Sequence, residues 1–365
     1  MPGRVYLHVG TPKSGTTYIQ DVFATNKELL ASKAGLLFPG ADWQDQVLAV
    51  RELRQMRRGG EQPANTLLEG AWQRLVDEVM QWQNNAVVSM EWLGSANAAE
   101  VRRAVDSFAP AEVRVIVTAR RLARIVPAAW QESCQNQRTC TWGDFLKSIA
   151  GDQPATRAEG RQFWRQQDLA RVLDNWLSEV PPERLFLVTV PEASAEPSLL
   201  WTRFCEAIDL EEPHRYEVTA TPANASLGLE SSELMRRVNE VVTASRIPAH
   251  VYERVFKRGL AKQALVKRRA DERSPNIPIH YHSWLSERSH AMIAEIVARG
   301  VKVVGDLADL ETASAPPVDG AEDEGADVTA EDLLEVALTG FIDLVQRQDD
   351  ENRRLRGELR ALQPQ

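Results

Sequence analysis

The feature that most narrows the fold is a short apolar run, Tyr6 to Val9, that breaks at Gly10 into a hydroxyl-rich loop and resumes at Thr16 with helical periodicity. Ile19, Val22, Phe23, Leu29 and Leu30 then share one face of a helix expected from Thr16 to about Ser32. Strand, loop and helix in that order form the opening unit of a parallel α/β sheet. The pattern repeats downstream. Trp72, Leu75, Val76 and Val79 have helical spacing, and Ala86 to Met90 reads as a second strand ending at Glu91. Val101 to Phe108 reads as helix and Val113 to Thr118 as the clearest strand. Beyond it lie an amphipathic stretch to about Asn136, a helical segment from Phe163 to Leu177, and a fourth strand at Leu185 to Val190. Strands alternating with helices predict an α/β fold with a central, mainly parallel sheet. Such sheets bind ligands beyond the carboxyl ends of their strands, where Gly10 to Thr17, Glu91 and Arg120 are expected to converge.

The loop, Gly10-Thr11-Pro12-Lys13-Ser14-Gly15-Thr16-Thr17, has the composition of an anion cradle. A tetrahedral dianion needs several donors aimed at one point. A tight turn opening a helix supplies backbone N–H groups together with the positive end of the helix dipole. Gly10 and Gly15 permit the turn, Lys13 adds a mobile charge, and Ser14, Thr16 and Thr17 add hydroxyl donors. A nucleoside-triphosphate loop of the Walker type places its lysine after the second glycine. Here Lys13 precedes Gly15, and no strand ending in a magnesium-binding Asp is evident.

The stretch Leu7 to Thr17 resembles the 5′-phosphosulfate loop of the sulfotransferases that use 3′-phosphoadenosine-5′-phosphosulfate (PAPS). Ser89-Met90-Glu91, Trp130-Gln131-Glu132, Asn224-Ala225-Ser226-Leu227-Gly228 and Val303-Val304-Gly305-Asp306-Leu307 further resemble a bacterial, especially actinobacterial, branch of that family. The resemblance implies a P-loop-like three-layer fold over roughly residues 4 to 310, with PAPS as co-substrate and no metal. It implies that Pro12, Lys13, Ser14, Gly15, Thr16 and Thr17 hold the 5′-phosphosulfate, with Lys13 on the oxygen bridging phosphate and sulfate. Arg120 is implied to hold the 3′-phosphate, for which the family also uses a serine eight positions on; here that position is Ala128, and Arg121 and Arg124 could supply compensating charge. Sulfuryl transfer further calls for a base at the acceptor. Glu91, at a strand end, is the candidate, with His8 a weaker one; Glu132, beside Trp130 on an expected helix, is a further residue that could line the site. Asn224 and Ser226 are expected to cap the helix that starts near Leu229. The expected acceptor is a hydroxyl or amine of a small molecule, carbohydrate or lipid. Two other readings stay open: a kinase-like phosphotransferase, and a non-catalytic module that binds a nucleotide or anion.

Across the 365 residues the formal charge is −9, so a general attraction to nucleic acid or anionic lipid is not expected. No run approaches a membrane-spanning length, and the N-terminus enters a strand directly, which points to a cytoplasmic protein. Cys134, Cys140 and Cys205 form no CxxC pair and are read as buried or idle thiols. His280 and His282 alternate as in an extended segment, without further ligands nearby for a metal. Residues 1–312 are read as the α/β domain and 313–327, rich in Pro, Gly, Ala and acid, as a flexible linker; 328–365 form a helical tail. Thr329 with Asp332 suits a helix cap. Leu334, Leu338, Phe341, Val345, Gln348, Asn352, Leu355, Leu359 and Leu362 then step by four and three, the seam of a coiled coil and a route to a homodimer. The same pattern fits an amphipathic helix folded back on its own domain.

Overall fold

The computed structural model describes residues 2–55, 68–151, 157–192, 194–218, 226–312 and 328–361. Contacts divide the chain into two units. One comprises Met1–Ile125, Ile149–Pro222 and Ile279–Pro317, the other Val126–Ser148, Ala223–Pro278 and Val318–Gln365.

The first unit is a P-loop-like three-layer α/β fold around one sheet. Its six strands are β1 (Arg4–Gly10), β2 (Leu36–Leu37), β3 (Asn85–Ser89), β4 (Glu112–Ala119), β5 (Leu185–Thr189) and β6 (Lys302–Val304), in the order β2-β3-β1-β4-β5-β6. Every pairing is parallel, so the sheet is wholly rather than mainly parallel. Buried β-branched and aliphatic side chains on both pleats explain the near-continuous apolar runs. Tyr6, Val87, Ile116, Phe186 and Val188 pack on one face against Ile19, Val22 and Phe23 of α1 (Thr16–Thr25) and Leu200, Trp201 and Phe204 of the Leu199–Ala207 helix. Their alternates, Val5, Leu7, Val88, Val115 and Leu187, are wholly buried as well.

Three expectations shift in detail. The helix opening at Thr16 ends at Thr25, because the Asn26 side chain donates to the carbonyls of Val22 and Glu217 (2.9 and 2.8 Å) and breaks the run. Phe163 to Leu177 is two helices, Ala158–Gln167 and Leu169–Leu177, divided at Asp168, whose carboxylate caps the second by accepting from Arg171 N. His280 lies in a 3₁₀ turn, Ile279–Tyr281, and His282 opens the His282–Ala298 helix, so the extended geometry expected for the pair does not form. The two edge strands, β2 and β6, are too short to carry periodicity. No disulfide joins the cysteines; Cys134 and Cys205 are buried, which pushes both thiols up in pKa. Among the described residues no helix is long and apolar enough to cross a membrane.

The second unit is helical. The Leu229–Ala244 helix, the π-helix Tyr252–Ala264 and the long Ala330–Ala361 helix pack together, the last two in close approach. A Cβ at Gly340 would stand 2.8 Å from Leu260 Cδ1, so a side chain there would displace the end of Leu260. Thr329 Oγ1 accepts from Asp332 N (3.1 Å) while Asp332 Oδ2 accepts from Thr329 N (2.9 Å), a reciprocal cap with Asp in the place of Glu. The expected linker, 313–327, lies outside the described residues.

Candidate active site

The strand order sets the location. Chain connections leave β1 and β4 toward opposite edges of the sheet, so a crevice opens at the carboxyl ends of these neighbours. The β1–β4 register slips between His8 and Gly10: His8 stands opposite Ile116 and Gly10 opposite Val117, leaving one extra residue in β1. The chain then turns through the loop. Thr11 N donates to Thr118 O (2.8 Å), fastening the loop to β4 two residues before Arg120.

Both loop glycines are forced. Gly10 has φ +87°, and a Cβ there would lie 2.7 Å from Glu91 Cβ; Gly15 has φ +80°, and its Cβ would lie 2.5 Å from Leu200 Cδ2. Lys13, between them, also adopts a left-handed φ of 66°, a strained conformation for a residue with a side chain. Gly15 is the N-cap of α1 and gives no side-chain cap, and the first turn carries no acidic residue. The positive end of the α1 dipole and its leading N–H groups are therefore not neutralised by a side chain from within the helix.

Beneath the loop lies a polar network enclosed by the sheet. His8 is 0% exposed, with Nδ1 2.7 Å from Ser89 Oγ and Nε2 3.2 Å from Thr118 Oγ1. Thr118 Oγ1 lies 2.6 Å from Ser14 Oγ, and Ser14 Oγ also donates to Thr11 O. The Ser14 hydroxyl thus points into the protein and holds the loop's shape, while its backbone stays in the cradle. Burial lowers the His8 pKa to about 3, so its ring is neutral near pH 7. Enclosed on all sides, His8 is a structural partner, out of reach of an acceptor.

Glu91 begins a 3₁₀ turn, Glu91–Ser95, directly after β3 and against Gly10. Gln20, buried on α1, donates from Nε2 to Ser89 O (3.1 Å) and Glu91 Oε2 (3.3 Å), tying this carboxylate to the helix that the loop opens. Gln167 donates to Pro12 O (2.9 Å) from the Ala158–Gln167 helix. Neither glutamine was expected from the sequence. The only signal for Gln20 was a polar residue beside Ile19 on an otherwise apolar helix face.

Arg120 follows β4 and is half-buried. Burial first, then the charges of Arg124 and Arg121, pull its pKa down, and among the described residues it has no hydrogen-bonded or ion-paired acceptor. Arg121 is engaged elsewhere, on Glu192 and on Asp309 O (3.3 Å), so of the two neighbours only Arg124, exposed, keeps its charge uncommitted among the described residues. Ala128 presents no hydroxyl at the expected serine position.

Several other motif residues make structural hydrogen bonds. Asp306 caps the Leu307–Leu310 turn, and Thr189 Oγ1 accepts from Asp306 N (3.1 Å) and donates to Asp309 Oδ2 (2.8 Å). In the second unit Trp130 Nε1 donates to Cys140 O (3.0 Å) and Gln131 to Leu227 O; Glu132 belongs to the same helix, Leu122–Gln135. Ser226 does not cap the Leu229–Ala244 helix. Its N-cap is Gly228, where a Cβ would lie 2.2 Å from Glu272, and Glu272 itself receives Ser231 N (3.2 Å) and Ser231 Oγ (2.6 Å). Asn224 lies outside the described residues. Among the described residues no group of three or more His, Cys, Asp or Glu is placed to hold a metal ion.

No family model matches the chain, and no curated protein matches it. Among solved structures it is similar to a sulfotransferase from Alicyclobacillus acidocaldarius, at 12% identity and a TM-score of 0.38, covering 70% of this chain and 99% of that one. It is also similar to the sulfotransferase domain from the curacin biosynthetic pathway, at 13% identity and a TM-score of 0.31, covering 60% of this chain and 81% of that one. A likeness at these values assigns no role to any residue.

Proposed function

We propose that the chain transfers a sulfuryl group from PAPS to a hydroxyl or amine of a small-molecule, carbohydrate or lipid acceptor. The observation that carries this reading is Arg120: a half-buried guanidinium beside two further arginines, without an acceptor among the described residues, just past the end of the strand next to an uncapped loop-helix cradle. An isolated charge so placed is costly unless an anion joins it. Two separate cationic stations, the loop and Arg120, fit a ligand with two separate anionic groups, as PAPS has at its 5′ and 3′ positions.

In this reading the backbone N–H groups of Ser14 to Thr17 and the α1 dipole hold the 5′-phosphate, and Pro12 sets the turn with its carbonyl anchored by Gln167. Lys13 neutralises charge that develops on the leaving phosphate as the sulfuryl group departs. Arg120, assisted by Arg124, binds the 3′-phosphate without the serine hydroxyl that Ala128 lacks. Glu91, oriented by Gln20, accepts the proton of the acceptor hydroxyl or amine.

Calorimetric titration with adenosine 3′,5′-bisphosphate in the absence of magnesium tests the reading. Binding by the wild type, weakened in both Lys13→Ala and Arg120→Ala, is the expected result. A protein that ignores the bisphosphate and binds a magnesium nucleoside triphosphate overturns it in favour of phosphoryl transfer. Transfer of sulfate that persists in Glu91→Ala would remove Glu91 from the base role.

A further inference from the structure

The long helix Ala330–Ala361 carries two apolar faces, and its own unit covers one of them. Leu333 and Val336 are buried, with Gly340 against Leu260 and Leu265; this face meets the Leu229–Ala244 and Tyr252–Ala264 helices. About 100° further round the helix runs a second row. Leu334, Leu338, Phe341 and Val345 are 59, 54, 65 and 51% exposed, and Leu355 continues the row at 43%. Large apolar side chains in a continuous exposed row mark an interaction surface rather than ordinary surface scatter. Beyond Arg347, which still reaches Gln263 of its own unit, residues 348–358 are exposed on every side. A helical segment of this length without packing is marginal in water, and none of the described residues beyond the helix itself holds it.

We propose that the occupant is a second copy of this chain, joined as a parallel, in-register coiled coil along this row. The spacing of four and three is the coiled-coil period, with Leu338, Val345 and Asn352 at one core position and Leu334, Phe341, Gln348 and Leu355 at the other. A parallel pair in register sets Asn352 against its own counterpart, where the two amides hydrogen-bond; a shift by one heptad buries each amide against an apolar residue. The flanking charges agree. In this arrangement Glu351 of one helix faces Arg356 of the other, twice by symmetry, and Arg356 has no ion pair within its own chain among the described residues. A partner of a different sequence would meet no such requirement for a polar residue at Asn352's level. The pairing leaves the covered face undisturbed, so each tail holds its own unit and its twin at once.

Sedimentation velocity on the full chain tests this, with circular dichroism and thermal melts as the check on folding. The wild type is expected to sediment as a dimer at micromolar concentration. Leu338→Glu with Phe341→Glu should weaken dimerisation at least about tenfold while the melt of the protein is retained. Asn352→Cys should cross-link two chains under mild oxidation, and Arg356→Glu should weaken the dimer while Glu351→Arg combined with it restores it. A wild type that stays monomeric, a dimer indifferent to the double glutamate variant, or an Asn352→Cys protein that does not cross-link beyond the wild-type level overturns the proposal. A monomer that binds lipid vesicles through the same row overturns it too, in favour of attachment to a membrane surface.

Discussion

Two helix N-termini in this molecule meet the same physical demand in opposite ways. At the start of Leu229–Ala244 the dipole is answered from inside the chain: Glu230 stands in the first turn, and the buried Glu272 takes Ser231 N and Oγ. At the start of α1 no side chain caps the helix, no acid occupies the first turn, and the approach runs through three left-handed residues, Gly10, Lys13 and Gly15. Of the two, only the start of α1 combines strained backbone with N–H groups that no side chain caps, and on that ground the loop and not the second terminus is proposed as the ligand site.

The contrast can be broken from either side. Lys13→Ala removes the mobile charge at the uncapped end and should lower the rate of sulfuryl transfer by about 10²–10³-fold, or about 3–4 kcal/mol, with the thermal melt unchanged. Glu272→Ala empties the other end. It should destabilise the protein by about 2–3 kcal/mol, seen in denaturant titration, and leave binding of adenosine 3′,5′-bisphosphate as it was. Between the two lies the support of the loop. His8 has a folded-state pKa of about 3, below its unfolded value of 6.5, so its contribution is complete above pH 6.5 and is lost as pH falls toward 3, by up to about 1.4 kcal/mol per pH unit. Stability measured from pH 7 to 4 should show that slope, and His8→Asn should flatten it. The smallest effect sharpens the comparison most. Thr17→Asp makes the α1 terminus resemble the other one: a gain of about 0.3–1 kcal/mol in stability from the dipole, together with loss of bisphosphate binding. If Thr17→Asp binds the bisphosphate normally, the uncapped end is not the anion site.

Much of this was legible beforehand, for a definite reason. The four central strands are buried on both faces, so they appear as apolar runs, and the loop's glycines and hydroxyls announce a turn that needs φ above zero. The edge strands Leu36–Leu37 and Lys302–Val304 were not legible, because two or three residues cannot display a period. The break at Asn26 depends on Glu217, far away in the chain, and no local pattern records it. Of the candidate site, Lys13 was proposed from the loop's composition and Glu91 and Arg120 from their places after strands. The inward turn of the Ser14 hydroxyl could not be read in the same way, since composition counts a donor without saying which way it faces. Gln20 and Gln167 were missed for a related reason: their work is done by hydrogen bonds to a distant backbone or carboxylate.

The interleaving of the two units bears on how the protein comes to be made. The sheet ends with β6, Lys302–Val304, and the helical unit with Ala330–Ala361, yet each unit also holds segments from the first half of the chain. During synthesis the early segments of both therefore wait, part-assembled, until β6 and the Ala330–Ala361 helix have left the ribosome. Long-range closure of this kind is slow and leaves strand edges open in the meantime. A nascent chain built this way stands to gain from a chaperone that shields β5 until β6 arrives.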